Sequence, residues 1–163
     1  MKIGNSIFSQ AKQYYLYIIM KININTKVNQ SLLKVWEGFD LALFTKLAPP
    51  FPPVVVKAFG GCLKGDKVHL ELNFLLFKQD WISDIIEQKS TDTEIFFIDE
   101  GTKLPFFLSE WHHKHRLVKE DSGTIIMDEI TFKTPFILTD YLFYPLMYLQ
   151  FLYRKPIYRK IFS

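Results

Sequence analysis

A single cysteine, Cys62, stands among 163 residues, so no intramolecular disulfide can hold the fold together. One free thiol fits a reducing cytoplasm, which is the expected localisation. Cys62 lies in a glycine-rich turn without a neighbouring base, and this argues for an inert thiol rather than a nucleophile. No apolar run approaches the ~20 residues that a membrane-spanning helix needs. The segment "YYLYIIM" is short, is bracketed by Lys12 and Lys21, and is followed by no small-residue cleavage site. Internal repeats and low-complexity segments are missing too. Neither sign of charge dominates: the net charge is +3, and most basic residues are scattered among acidic ones. That balance gives no reason to expect a nucleic-acid partner. A nucleophilic serine elbow, zinc-finger spacing and a dinucleotide fingerprint are also absent. "GGCLKGDK" superficially resembles a phosphate loop, but Asp66 follows Gly65 and a strand comes next, so it reads as a hairpin turn.

Apolar and aromatic side chains are plentiful. The hydrophobic fraction is 48%, with 16 Phe and 8 Tyr, a rich supply for the one domain this length allows. The implication is a generous core, or a core built around an apolar-walled cavity.

From Met20 the chain reads as a clean domain start, with Ile22 and Ile24 alternating against Lys21, Asn23 and Asn25. Residues 1–19 add nothing to that pattern and are expected to be a weakly ordered extension or an over-called start, leaving 20–163 as the domain. Asn29 or Ser31 can cap a short helix, "SLLKVWEGF", and Asp40 a second, "DLALFTKLA". "PPFPP" ends helix formation. Six β segments follow, ending with "FFLSEWHHKHRLV" and "GTIIMDEITFK" around a tight turn at "EDSG". In "WISDIIE", Trp81, Ser83, Ile85 and Glu87 share one face; if that face is inward, Glu87 reaches the interior. The remaining "FILTDYLFYPLMYLQFLYRKPIYRKIF" is apolar with helical spacing. Leu138, Tyr141, Leu142, Leu149 and Leu152 can share a face, Thr139 or Asp140 can cap, and Pro145 should kink or restart the helix. Arg154, Lys155, Arg159 and Lys160 have no acidic neighbour. They read as the solvated end of a last helix, with a patch for phosphate or anionic lipid as the functional alternative.

Three of the four histidines fall in "SEWHHKHRLVKED". On a strand, alternate residues face opposite sides. Glu110, His112, Lys114 and Arg116 then face water, while Trp111, His113, His115 and Leu117 face inward. A two-residue turn at Asp121-Ser122 puts Lys119 opposite Thr124 and His115 opposite Asp128. The inward set of the last strand is then Ile126, Asp128, Ile130 and Phe132. One acid and two histidines should therefore meet inside, framed by apolar residues. Three readings follow: a hydrogen-bonded network that fixes register, polar anchors in a ligand pocket, or catalysis or metal chemistry of the two-histidine, one-carboxylate kind. The cupin motif, with Glu120 as its acid, is excluded: Glu120 falls on the wrong face, the flanking glycines are missing, and no histidine lies downstream. No metal and no cofactor is expected.

The order strand, two short helices, six strands, long helix resembles the SRPBCC superfamily of START and birch-pollen-allergen-like domains. Residues that carry the likeness are "VNQSLLKVWEGFD", "LAPPFPP", "FIDEG" with "LPFFLSEWHHKH", "GTIIMDEITFKTP" and "FLYRKPIYRKIF". Within them stand Trp111, His113 and His115, then Gly123, Thr124 and Asp128. The resemblance runs from Met20 to the end and is similar to an uncharacterised bacterial, cyclase-like ligand-binding branch. It implies an α+β helix-grip fold: a seven-stranded antiparallel sheet wrapped around a long C-terminal helix, with two short helices after the first strand and an apolar cavity between. Members bind lipids, hormones or polyketides, and some catalyse cyclisation or hydrolysis. No catalytic set is shared, so none carries over.

Together these readings give a soluble protein that binds, and in one version transports, a small hydrophobic molecule or lipid. Trp81, Trp111, Ile130, Phe132 and Tyr141 would supply apolar contact. His113, His115 and Asp128 would orient a polar group, and the proline-rich segment and second short helix would form the mouth. The alternatives are a polyketide cyclase or hydrolase using His113 or His115 as base with Asp128, and a lipid carrier docking on membranes through the basic aromatic tail. Oligomeric state is left open.

Overall fold

A computed structural model describes residues 19–163. Apart from Ile19, the expected N-terminal extension lies outside the described residues. The elements are β1 (Met20–Val28), α1 (Leu32–Glu37), α2 (Leu41–Lys46), β2 (Val54–Phe59), β3 (Lys67–Asn73), β4 (Lys78–Ser90), β5 (Glu94–Lys103), β6 (Glu110–Glu120), β7 (Gly123–Lys133), α3 (Ile137–Leu152) and α4 (Arg154–Ile161). The strands form one antiparallel sheet in the order β1-β7-β6-β5-β4-β3-β2. Strands two to seven therefore form a meander, and β1 closes against the last strand.

Local chemistry accounts for the element ends. Asp40 Oδ1 accepts the Leu43 N–H at 2.8 Å and starts α2, while Ser31 caps α1 through the Lys34 N–H at 3.5 Å. Glu120 pairs with Gly123 across Asp121-Ser122, so the tight turn falls where expected. Gly123 has φ +154°, and a Cβ there would come within 2.1 Å of the Val28 carbonyl oxygen. Only glycine lets β7 begin this close to the end of β1.

The C-terminal helix differs from expectation in three ways. Pro145 does not break α3; the interruption comes at Tyr153, where Pro156 offers no N–H to the Leu152 carbonyl. Neither Thr139 nor Asp140 caps it: Phe136 is the N-cap without a side-chain bond, and buried Asp140 instead accepts the Thr134 N–H at 2.6 Å. The inward face carries Met147 and Phe151, with Phe143 and Tyr144 packed partly against the core. Leu138, Tyr141, Leu142, Leu149 and Leu152 face outward. The helix is apolar on nearly every side, so periodicity alone could not choose a face.

Two apolar clusters make the core. One joins Ile22, Ile24, Trp111, Ile130, Phe132 and Phe151; the other joins Val28, Val35, Leu117, Ile126, Tyr158 and Phe162. Along each element a polar residue separates the two: Thr26 on β1, Asp128 on β7, His113 and His115 on β6, and Arg154 at the joint between α3 and α4.

Candidate functional site

The polar band is organised by strand register. His115 pairs with Asp128 across β6 and β7, as parity requires, and His113 pairs with Asp99 across β5 and β6. Inward residues of neighbouring strands thus bring two imidazoles between two carboxylates. His113 is 2% exposed and Asp128 1%. His113 Nε2 lies 3.0 Å from Asp128 Oδ1, and its Nδ1 lies 3.3 Å from Asp99 Oδ2. His115 Nε2 lies 3.4 Å from the same Asp99 oxygen. His115 Nδ1 approaches Asp128 Oδ1 at 3.3 Å without the alignment of a hydrogen bond, and Asp128 Oδ2 has no protein partner. The two imidazole rings are 3.6 Å apart between centroids. Phe97 stacks on His115 at 4.3 Å, and Phe151 and His113 meet edge to face at 5.0 Å. Trp111 Nε1 donates to Asp99 Oδ1 at 2.9 Å, which fixes that carboxylate.

The electrostatics follow from this crowding. Burial, the largest influence on Asp99 and Asp128, works to raise their pKa values. Contacts with His113 and His115 outweigh it and hold both carboxyls well below the usual range. Burial of His115 likewise works to lower its pKa, but Asp128 and Asp99 outweigh that and raise it. Burial, helped by Asp66 and Asp99, pushes the Cys62 thiol up to about 12, in keeping with an inert thiol.

A cavity of about 130 Å³ opens over this cluster. One buried water needs roughly 15 Å³ on the same measure, so the space is several waters large. Its walls are mainly apolar and include Leu43, Phe44, Leu70, Phe97, Phe107 and Met147. Polar groups enter from Asp99, His113, His115, Ser83, Gln150 and Arg154. Helix α2 contributes Leu43 and Phe44 to the lining, and the proline segment contributes Pro49 and Pro52.

Of the residues expected from sequence, Trp81, Trp111, His113 and His115 line the cavity. Asp128 sits behind the histidines; Ile130 and Phe132 are buried in the core beside it rather than in the lining. Tyr141 needs correction: it is 62% exposed on the outer face of α3 and away from the cavity, because the helix is turned the other way. Glu87 is also outside. A bulge between Ile85 and Glu87 breaks the alternation, so Trp81, Ser83 and Ile85 face in while Glu87 faces water. Asp99 and Arg154 are among the lining residues that the sequence did not single out. Asp99 follows Ile95 and Phe97 at period two, a legible signal that apolar Ile98 obscures. Arg154 reads as part of a basic tail, yet it lines the cavity and lies 4.1 Å over the Phe151 ring.

No family model and no curated protein matches the chain. Solved structures do. Norcoclaurine synthase from Thalictrum flavum, a point mutant in complex with a transition-state analogue, is 12% identical with a TM-score of 0.56, covering 79% of this chain and 84% of that one. Zhui aromatase/cyclase from Streptomyces sp. R1128 is 16% identical with a TM-score of 0.52, covering 73% and 70%. Protein Ms6760 from Mycobacterium smegmatis is 16% identical with a TM-score of 0.54, covering 78% and 81%. At these identities the likeness is one of fold.

Proposed function

We propose, for a chain with the helix-grip fold of the SRPBCC superfamily, that the cavity binds a small, mainly apolar molecule carrying one polar group. The observation that carries this reading is a cavity with apolar walls and convergent polar side chains on its floor. Fold neighbours agree in kind: one is an aromatase/cyclase, and norcoclaurine synthase has been solved with dopamine and hydroxybenzaldehyde. Aromatic walls at Phe97, Phe107 and Trp111 suit a flat ring, and Arg154 and Gln150 suit a phenol or carboxylate.

Binding is preferred to catalysis because a general base needs an available lone pair. Both nitrogens of His113 and of His115 face carboxylates instead. The test combines native mass spectrometry of protein from its own host with tryptophan fluorescence, since Trp81 and Trp111 line the cavity. A reproducible bound mass, and a fluorescence titration weakened about tenfold or more by His113→Gln, support the reading. Multiple turnover abolished by His113→Gln would favour the cyclase or hydrolase instead.

A second reading, a carrier that docks on membranes, has an observation of its own. Among the described residues no helix is long and apolar enough to cross a membrane. Yet the outer face of α3 is apolar along its length and runs on into exposed Arg159 and Lys160. Such a stripe suits an anionic lipid surface.

A further inference from the structure

We propose that Asp99, His113 and His115 form a binding site for a divalent transition-metal ion of the zinc type on the cavity floor, with Asp128 and Trp111 positioning the ligands. Asp99 Oδ2 stands 3.3 Å from His113 Nδ1 and 3.4 Å from His115 Nε2, and the three residues each offer one ligand atom within 4.8 Å of the others. Zinc bonds to nitrogen and oxygen are about 2.0–2.1 Å, so tetrahedral ligands stand roughly 3.3–3.4 Å apart. The two measured separations fall at that spacing. Two imidazoles and one carboxylate select zinc, cobalt or ferrous iron over magnesium or calcium.

The far sides of His113 and Asp99 are already held. His113 Nε2 is hydrogen-bonded to Asp128 Oδ1 at 3.0 Å, and His115 Nδ1 stands 3.3 Å from the same oxygen without the alignment of a hydrogen bond. Trp111 Nε1 donates to the other oxygen of Asp99 at 2.9 Å. Metal-bound histidines usually present their second nitrogen to a carboxylate in this way, and the partner sets tautomer and ring orientation. Sequence parity paired the histidines with Asp128, but Asp128 occupies the outer position, and the inner carboxylate comes from β5. All ligands stand on paired strands, which hold their spacing.

Proton counting points the same way. Four ring nitrogens face carboxylate oxygens at 3.0–3.4 Å. A neutral imidazole has one N–H, so each neutral ring sets one lone pair against an anion. Charging both rings relieves this but holds two cations with centroids 3.6 Å apart. A dication on the Asp99 side accepts both lone pairs, leaves the His113 N–H bonded to Asp128 and the His115 N–H turned to the Asp128 side, and balances the two carboxylates. Three protein ligands leave one tetrahedral position, and all three line the cavity, so that position faces its contents.

The site shares side chains with the proposed ligand site but does not depend on it, and the two are measured separately. Protein stripped with EDTA and dialysed is titrated with Co²⁺, read by visible absorption, and then with Zn²⁺ in competition. The expected result is one equivalent of Co²⁺ with an intense tetrahedral spectrum that Zn²⁺ displaces. His113→Gln, His115→Gln and Asp99→Asn should abolish that spectrum, and Asp128→Asn should weaken affinity about 10–100-fold. His112→Gln, on the outer face of the same strand, should leave it unchanged. Circular dichroism identifies the folded variants, and wild-type protein alone decides if a variant fails to fold. Folded wild-type protein giving no tetrahedral spectrum at millimolar Co²⁺ overturns the inference, as does an unchanged spectrum in folded His113→Gln. Tryptophan fluorescence titration in EDTA reads ligand binding separately, so either reading can fail alone.

Discussion

His113 Nε2 and Asp128 Oδ1 meet at 3.0 Å with almost no water around either, so each is the other's closest polar partner. Removing one member of such a pair leaves the other buried and uncompensated, which costs about 3–5 kcal/mol. Asp128→Ala should therefore lower unfolding free energy by about that much in urea at neutral pH. A double-mutant cycle with His113→Ala should return a coupling of roughly 1–3 kcal/mol. A coupling near zero would mean that the two side chains do not act as a pair. The cluster also predicts how the metal-free protein responds to pH. Asp99 and Asp128 have depressed pKa values, so their contribution is present above about pH 4 and is lost as pH falls. His115 has a raised pKa, so its contribution is full below about pH 6.5 and is lost as pH rises through the folded value. Thermal melts in EDTA should thus show a Tm plateau between about pH 4 and 6.5 and a decline on both sides. A Tm that keeps rising from pH 6 to pH 9 would show that His115 is not held charged in the fold.

At the scale of elements, β6 and β7 were legible because three constraints agree. Strict alternation gives the face, turn parity gives the register, and Gly123 gives the point of entry. That register is what sets His115 opposite Asp128. Gly123→Ala should be destabilising by about 2 kcal/mol or more, since it combines an unfavourable φ with a clash against Val28. Chemical denaturation reads the loss. An unchanged midpoint would show that β7 can shift away from β1 without penalty. Elsewhere the constraints conflict. The β4 bulge moves Glu87 to the outside after three residues that obey the alternation. On β5, Ile98 is buried beside Phe97, so the period that would have exposed Asp99 as an inward acid is blurred. On α3 nearly every position is apolar, and tertiary packing alone decides that Met147 and Phe151 turn inward and Tyr141 outward. Arg154 was hidden by its basic neighbours, because composition cannot distinguish a solvated arginine from one that reaches a cavity at a helix joint.

Across the whole molecule, the densest run of exposed apolar side chains lies along α3. Between Pro135 and Tyr153 the only charged residue is Asp140, and it is buried. Exposed Leu142, Leu146, Leu149, Leu152 and Pro156 advance in steps of three or four and lead to exposed Arg159 and Lys160. The backbone at Tyr153 stays helical, with φ −57° and ψ −27°, so the stripe continues across the joint. At the β3–β4 hairpin, Leu75 and Leu76 are 82% and 94% exposed, and Leu75 has φ +69°. A leucine in that region is strained, and here the strain holds an apolar side chain in water. Phe74 contacts Phe107, which stacks on Phe143 of α3 at 5.1 Å, so the hairpin and the helix are joined by one chain of rings. Large exposed apolar stretches on a soluble fold commonly mark an interaction surface. For a lipid surface, each leucine that enters the interface contributes about 1 kcal/mol or more, and each nearby basic residue about 1 kcal/mol on anionic lipid. Changing Leu142, Leu146 and Leu149 together to serine should therefore weaken co-sedimentation with anionic liposomes by about a hundredfold. Arg159→Gln with Lys160→Gln should remove most of the dependence on anionic lipid while leaving the cavity intact. Leu75→Gly should weaken sedimentation while raising Tm, because it relieves the turn. Wild-type protein that ignores liposomes of any charge, yet forms a dimer in sedimentation velocity that the triple serine variant dissociates, would assign this face to a second copy of the chain.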